Sequence, residues 1–217
     1  MATTALRSVG RPRDPDVDRA ILDATRDLLR ELGYARLRIG EVAARAGVTP
    51  PTLRLRWPTK VELVHDALFQ TLDDRPLDDT GTLEGDLEAA VRRTIALYTR
   101  PEVQAGLLGF VEDVRTKPEL RRRIGQRIYR PAIDAYGEIL QRAVERGEVA
   151  SERVAHATTL LNTVAGAVLS TTVVYGGDLP LLERELVALL LDGLRADTSA
   201  PSTTNGRTST RPARRTR

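Results

Sequence analysis

Apolar residues recur along this chain at spacings of three and four, the period of a helix that buries one face. Asp14-Pro15 opens a first helix whose Val17, Ala20, Ile21, Ala24 and Leu28 form an inward stripe, and Gly33 closes it. A second helix, Ile39 to Ala46, carries Ile39, Val42, Ala43 and Ala46 on one side and stops at Gly47, a residue that tolerates a left-handed backbone. Val48 can pack inward at the turn, Thr49 can cap the next helix with its hydroxyl, and Pro50 suits a first helical position that needs no backbone donor. The third helix then runs from about Pro50 to Trp57. Thr59-Lys60-Val61-Glu62 is a capping box that starts a fourth helix toward Leu72.

Beyond an acidic turn at Asp73 to Thr82, Leu83 to Arg100, Pro101 to Thr116 and Pro118 to Arg146 read as three helices, with a kink or break near Arg130 because Pro131 cannot continue the ladder. Val154 to Tyr175 is nearly uncharged and ends at Gly176-Gly177; Leu182, Leu186, Leu189, Leu190 and Leu194 then mark an amphipathic last helix. The fold class expected is all-α with about nine helices. A three-helix, helix-turn-helix head precedes a helical body.

The head carries the functional information. Two short helices joined by a tight turn are a device for laying one of them against DNA. Gly33-Tyr34, Ile39, Val42-Ala43, Ala46-Gly47-Val48, Thr49, Thr52-Leu53, Trp57-Pro58 and Thr59-Lys60 follow in an order and spacing that resemble the tetracycline-repressor (TetR) family of transcriptional regulators over about Asp16 to Leu72. The resemblance departs at two places. Arg54 stands where the family usually has a Tyr that meets the DNA backbone; a guanidinium can replace that phosphate contact or fork onto guanine O6 and N7. Arg38 stands where the family often has a capping Thr, exchanging a cap for a cation.

The resemblance implies double-stranded DNA as partner, a palindromic operator and a dimer that spaces two recognition helices to match successive major grooves. Thr49, Pro50, Pro51, Thr52 and Arg54 are expected on the exposed front of the recognition helix, and Pro51 can sit against a thymine methyl. Arg38, Arg56, Trp57 and Lys60 are expected to hold phosphates and set register. Trp57 serves equally as a core lid, a solvated lysine is the lesser reading of Lys60, Leu53 is expected in the core, and the place of Leu55 is left open.

Charge separates the chain into parts. Residues 1–60 hold twelve Lys and Arg against seven Asp and Glu, a net +5; residues 61–197 net −7; the last twenty net +5 with five Arg and no acid. A basic head and an acidic body suit a protein whose first part meets a polyanion. The organisation expected is a basic arm at 1–13, a DNA-binding domain at 14–72 with its motif at 38–57, an effector-binding and dimerisation domain at 73–197, and a disordered basic tail at 198–217. Arg7, Arg11 and Arg13 of the arm either reach the minor groove or touch nothing.

For the body, the resemblance implies a small-molecule pocket whose occupation changes the separation of the two heads. Candidate lining residues are Tyr98, Leu107, Phe110, Tyr129, Tyr136 and Asn162, each of which competes with a simple packing role. The segments at about 152–175 and 179–195 carry more apolar surface than one small body covers, which points to pairing with a second copy. The first of them is long enough to span a bilayer, but His156, Asn162 and six Thr or Ser residues argue against a membrane.

With no Cys, disulfides and thiolate metal sites are excluded, and two isolated His residues, His65 and His156, form no metal pair. No motif calls for a cofactor or for catalysis. Met1 to Gly10 lack the apolar core of a signal peptide, so the expected location is cytoplasmic. The reading is a ligand-responsive repressor; the alternative is a dimeric helical interaction protein whose head binds DNA without specificity.

Overall fold

The structure, a computed structural model, describes residues 14–73 and 77–195, and every regular element among them is helical. The basic arm and the Arg-rich tail lie outside the described residues. The head contains α1 (Pro15–Arg36), α2 (Ile39–Arg45), α3 (Pro50–Arg56) and α4 (Lys60–Asp73). The body contains α5 (Leu83–Tyr98), α6 (Pro101–Thr116), α7 (Pro118–Ile124), α8 (Arg130–Glu145), α9 (Ala157–Leu169) and α10 (Leu179–Arg195).

The helix boundaries follow local chemistry. Asp14 caps α1 by accepting from the Asp16 N–H at 3.0 Å, and the helical backbone is interrupted at Gly33, where φ is 70°. In the stripe of α1, Ala20 faces solvent, while Leu22, Thr25 and Leu29 join Ile21, Ala24 and Leu28 inside. The capping box of α4 closes in both directions: Glu62 N–H donates to Thr59 Oγ1 at 3.2 Å, and Thr59 N–H donates to Glu62 Oε2 at 3.1 Å.

The expected break near Arg130 takes the form of a π-helical turn at Gly125–Tyr129, so one anticipated helix becomes α7 and α8. Pro131 has no N–H to give, and the wider turn just before it accommodates the missing bond. A second π-helical turn, Ser170–Tyr175, extends α9.

Two apolar cores result. The first is built from α1–α4 and is completed by Leu97, Val103, Leu107, Phe110 and Leu120 of the body, so packing crosses the domain boundary expected near residue 73. The second joins α5, α8, α9 and α10 around Leu87, Ile139, Leu140 and Val164. Tyr98 packs against both.

Contrary to the rule that a helix apolar all round is a buried one, the segment Ser151–Tyr175 has only 22% of its most apolar stretch buried within one chain. Ala157, Leu160, Val164 and Val168 point inward, and Thr158, Thr159, Asn162, Thr163 and Gly166 face outward. By length and composition this is the one helix among the described residues that is able to cross a membrane.

The acidic turn before α5 is tied to the body through Asp79 and Thr80. Fully buried Asp86 accepts from the Thr80 N–H and hydroxyl, both at 2.8 Å, and from Arg146 at 3.0 Å, while Asp79 pairs with Arg146 at 3.2 Å.

Candidate nucleic-acid interface

The turn between α2 and α3 is closed by the backbone. Gly47 adopts φ 67°, a conformation that strains any residue carrying a Cβ and that glycine takes freely, and Val48 N–H donates back to the Ala43 carbonyl at 2.9 Å. Thr49 then caps α3: its Oγ1 accepts from the Thr52 N–H at 3.4 Å and lies 2.9 Å from the Thr52 hydroxyl. Pro50 occupies the first turn, as its missing N–H allows.

A seven-residue helix this short does not hold itself in water, so its position depends on tethers. Leu53 is wholly buried in the first core. Arg56 donates Nε to Asp18 of α1, a residue 38 positions earlier, and Arg45 of α2 forms a two-pronged pair with Glu31 of α1. These contacts fix α3 with the face opposite Leu53 outward.

That outward face carries Pro50, Pro51, Arg54 and Leu55, with Thr49 beside them at the cap and Thr52 half-buried at its edge. The Arg54 side chain makes no ion pair or hydrogen bond among the described residues. The same is true of the side chain of Arg38, a residue that precedes α2, is exposed, and gives that helix no side-chain cap. Both guanidinium groups are exposed and carry no internal ion pair among the described residues. Of the residues expected on the front of α3, Thr49, Pro50, Pro51, Thr52 and Arg54 are brought together.

Three expected phosphate holders are placed differently. Trp57 is 5% exposed and sends its indole N–H to Asp66 Oδ2 at 2.7 Å, so it is the core lid and not a surface contact. Arg56 spends its charge on Asp18. Lys60 turns inward: its ammonium donates to the Tyr34 carbonyl oxygen and sits 4.1 Å from the centre of the Tyr34 ring. Burial lowers the Lys60 pKa; the charge on Asp113 opposes that shift, and Arg38 and Lys117 add to it. In each case an acceptor within the protein competes with DNA for the donor.

No signal in the sequence announces these acceptors, because Asp18, the Tyr34 carbonyl and Asp66 become neighbours only through packing. The same holds for the seam between α1 and α6. There the Tyr34 hydroxyl donates to Asp113, burial and this bond raise the Tyr34 pKa, and Lys117 pairs with Asp113 at 2.9 Å. Gly109 allows the approach, since a Cβ there would fall 2.5 Å from Cδ1 of Tyr34. Glu102, 2% exposed, accepts from Arg30 of α1 at 3.0 Å and from Arg100 at 2.8 Å.

The six candidate effector contacts do not converge. Leu107 and Phe110 are buried in the first core, with the Phe110 ring 5.9 Å from Phe69 and 6.0 Å from His65. Tyr136 is buried in the second core, where burial pushes its pKa up to about 12 against the opposing bond to Thr94. Tyr98 bridges the cores. Tyr129 and Asn162 lie at the surface, hydrogen-bonded to each other.

Two clefts open elsewhere: one of about 360 Å³ between Lys60, Asp113, Lys117 and Arg123, and one of about 550 Å³ between α5 and α10. Residues of one helical face pack together by default, which is why apolar periodicity does not separate a pocket wall from a core. Among the described residues no group of three His, Asp or Glu is disposed to hold a metal.

Comparison with known proteins places this geometry. The model of the tetracyclin repressor-like C-terminal domain matches residues 77–197, more than half of the chain, and that of the bacterial regulatory proteins of the tetR family matches residues 21–67. The chain belongs to the TetR family. It is similar to the HTH-type transcriptional regulator AqdR of Rhodococcus erythropolis, 30% identical over 80% of this chain and 83% of that protein. It is also 30% identical to the DNA-binding transcriptional repressor TetR of Mycobacteroides abscessus, over 81% of this chain and 95% of that one.

Among solved structures, FadR of Bacillus subtilis in complex with stearoyl-CoA superposes with a TM-score of 0.64 at 19% identity, covering 81% of this chain and 98% of that chain, a likeness of fold. The protein is thus a DNA-binding transcriptional regulator of the TetR family, and its relatives are named as regulators rather than enzymes.

Proposed function

We propose that this TetR-family regulator binds a palindromic operator as a homodimer, presenting α3 of each protomer to successive major grooves, and that a small molecule releases it. The observation that carries the reading is the outward face of α3, where Thr49, Pro51 and Arg54 are held opposite the buried Leu53 and Arg54 has no internal partner among the described residues. Arg38 and Arg54 supply the phosphate and guanine-edge contacts, with Thr49, Pro50, Pro51 and Thr52 against the groove. Trp57, Arg56 and Lys60 act behind them by holding α3 and α4 in place.

Pairing runs through α9 and α10. Their outward sides keep Leu189 70% exposed and Tyr175 83% exposed, and the apolar stretch ending at Tyr175 is covered by little within one chain. A second copy laid across these helices removes that surface from water and fixes the two heads relative to one another. No membrane is needed to account for it, and the protein acts in the cytoplasm on DNA. Repression has a named precedent in the Mycobacteroides abscessus relative, and the bound stearoyl-CoA of the Bacillus subtilis neighbour is an instance of a small ligand on this fold.

Release follows the rule that a ligand shifts an equilibrium only by its differential affinity for two conformations. The α1–α6 seam is the physical route: Glu102–Arg30 and Asp113–Tyr34 tie a body helix directly to the helix against which α3 is braced.

Selection of duplexes from a random pool tests the reading. Enrichment of a palindrome bound by two copies supports it. Salt-sensitive binding without sequence preference replaces it with a dimeric interaction protein whose head holds DNA nonspecifically.

A further inference from the structure

We infer that Leu55 is a specificity-determining residue that reads the C5 methyl group of a thymine in each half-site. The inference rests on the DNA-binding reading above and adds a chemical demand to it. Leu55 is 81% exposed on a helix whose other leucine, Leu53, is fully buried. Two residues apart on an α-helix is a rotation of about 200°, so the pair point in nearly opposite directions. A leucine left in water contributes nothing to the core, and single exposed leucines are common on protein surfaces. The position of this one sets it apart.

Pro51, Arg54 and Leu55 stand at i, i+3 and i+4, which makes them neighbours on one face, and all three are exposed. Arg54 supplies the hydrogen-bond donors of that face. Leu55 and Pro51 have none to offer: the Leu55 side chain is hydrocarbon, and proline lacks even a backbone N–H. In the major groove every base edge shows donors or acceptors, and thymine alone adds a methyl group. An adenine or cytosine amino group set against Leu55 is stripped of water with no partner in return, whereas a thymine methyl gains apolar contact. The three residues therefore specify a guanine for Arg54 beside a thymine for Leu55. The occupant of this face is DNA, given the unpaired cation of Arg54 within it.

The test compares thymine with deoxyuridine, which differs only by the methyl group. Wild-type protein first selects an operator from a random pool; each thymine is then replaced in turn, and affinities are measured for wild type and for Leu55→Ala by fluorescence anisotropy. At one thymine per half-site, deoxyuridine is expected to weaken wild-type binding about fourfold, the value of one buried methyl. Leu55→Ala is expected to weaken the thymine operator at least as much and to ignore the substitution, with an unchanged melting temperature.

Equal sensitivity of wild type and variant to deoxyuridine overturns the inference, as does an operator in which no thymine methyl matters. A change of oligomeric state in Leu55→Ala without DNA overturns it in favour of a protein contact. Failure of the wild type to enrich any sequence removes the DNA-recognition reading itself, and this inference with it.

Discussion

The outward face of α3 and the seam between α1 and α6 are parts of one small assembly that treat polar groups in opposite ways. On the seam, charged groups find partners: Glu102 with Arg30 and Arg100, Asp113 with Lys117 and Tyr34. On α3, Arg54 finds none among the described residues, and a leucine stands in water beside it. A group satisfied internally contributes to folding and is lost to an external partner; an exposed group that water hydrates adds little to stability and stays available for binding. The difference divides basic residues that look alike in the sequence into braces and contacts.

Removing a brace gives the largest expected effect. Glu102→Ala deletes a buried carboxylate that holds two guanidinium groups, and is expected to cost about 3 kcal/mol, visible as a lower urea midpoint. An unchanged midpoint sinks the idea that the seam is a structural lock.

Trp57→Phe comes next. It leaves Asp66 without the indole N–H and is expected to destabilise by about 2 kcal/mol, with operator affinity per folded molecule unchanged. A fall in affinity without a fall in stability makes Trp57 a DNA contact after all.

Arg54→Ala reverses that pattern. Stability stays constant, while the selected operator is lost by about 1–3 kcal/mol and scrambled DNA by less. Equal loss on both sequences removes Arg54 from base reading.

Lys60→Gln is expected to leave the slope of log affinity against log salt unaltered, whereas a lysine on a phosphate lowers that slope by about one.

Acid sharpens the comparison from the side of the internally paired carboxylates. For Glu102, burial pushes the carboxyl up, but the bonds from its own backbone and from Arg30, with the charge of Arg100, bring it below the ordinary range. For Asp86, burial is likewise outweighed by Thr80, Arg146 and Arg142. Both carboxyls titrate lower in the folded chain than in the unfolded one. Their contribution is present above the ordinary carboxylate range, about pH 4, and is lost as pH falls through the depressed values. Urea midpoints are expected to hold steady from pH 7 to about 5 and then drop. In Glu102→Ala the drop is shallower.

Much of this was legible in the residues themselves. The helical period, the Gly47 turn, the Thr49 and Thr59 caps and the Pro131 interruption depend on atoms within a few positions of one another, and each stands in the structure where the sequence puts it. The resemblance of the head to its family was likewise a local pattern. The partners of Arg56, Trp57 and Lys60 were not legible, nor was the scattering of Tyr98, Leu107, Phe110, Tyr129, Tyr136 and Asn162 over two cores and a surface.

The sequence by itself determined the helices, their caps and breaks, and the placing of a capped helix after a tight turn, because hydrogen bonds within a turn or two of helix and the periodic burial of apolar side chains are short-range matters. Only the tertiary structure decided which cations remain free to meet DNA and which are consumed within the protein. That choice turns on acceptors such as Asp18 and the Tyr34 carbonyl, brought close from 38 and 26 residues away. Partial or full removal from water makes such an acceptor costly to leave unpaired, so the nearest donor is taken.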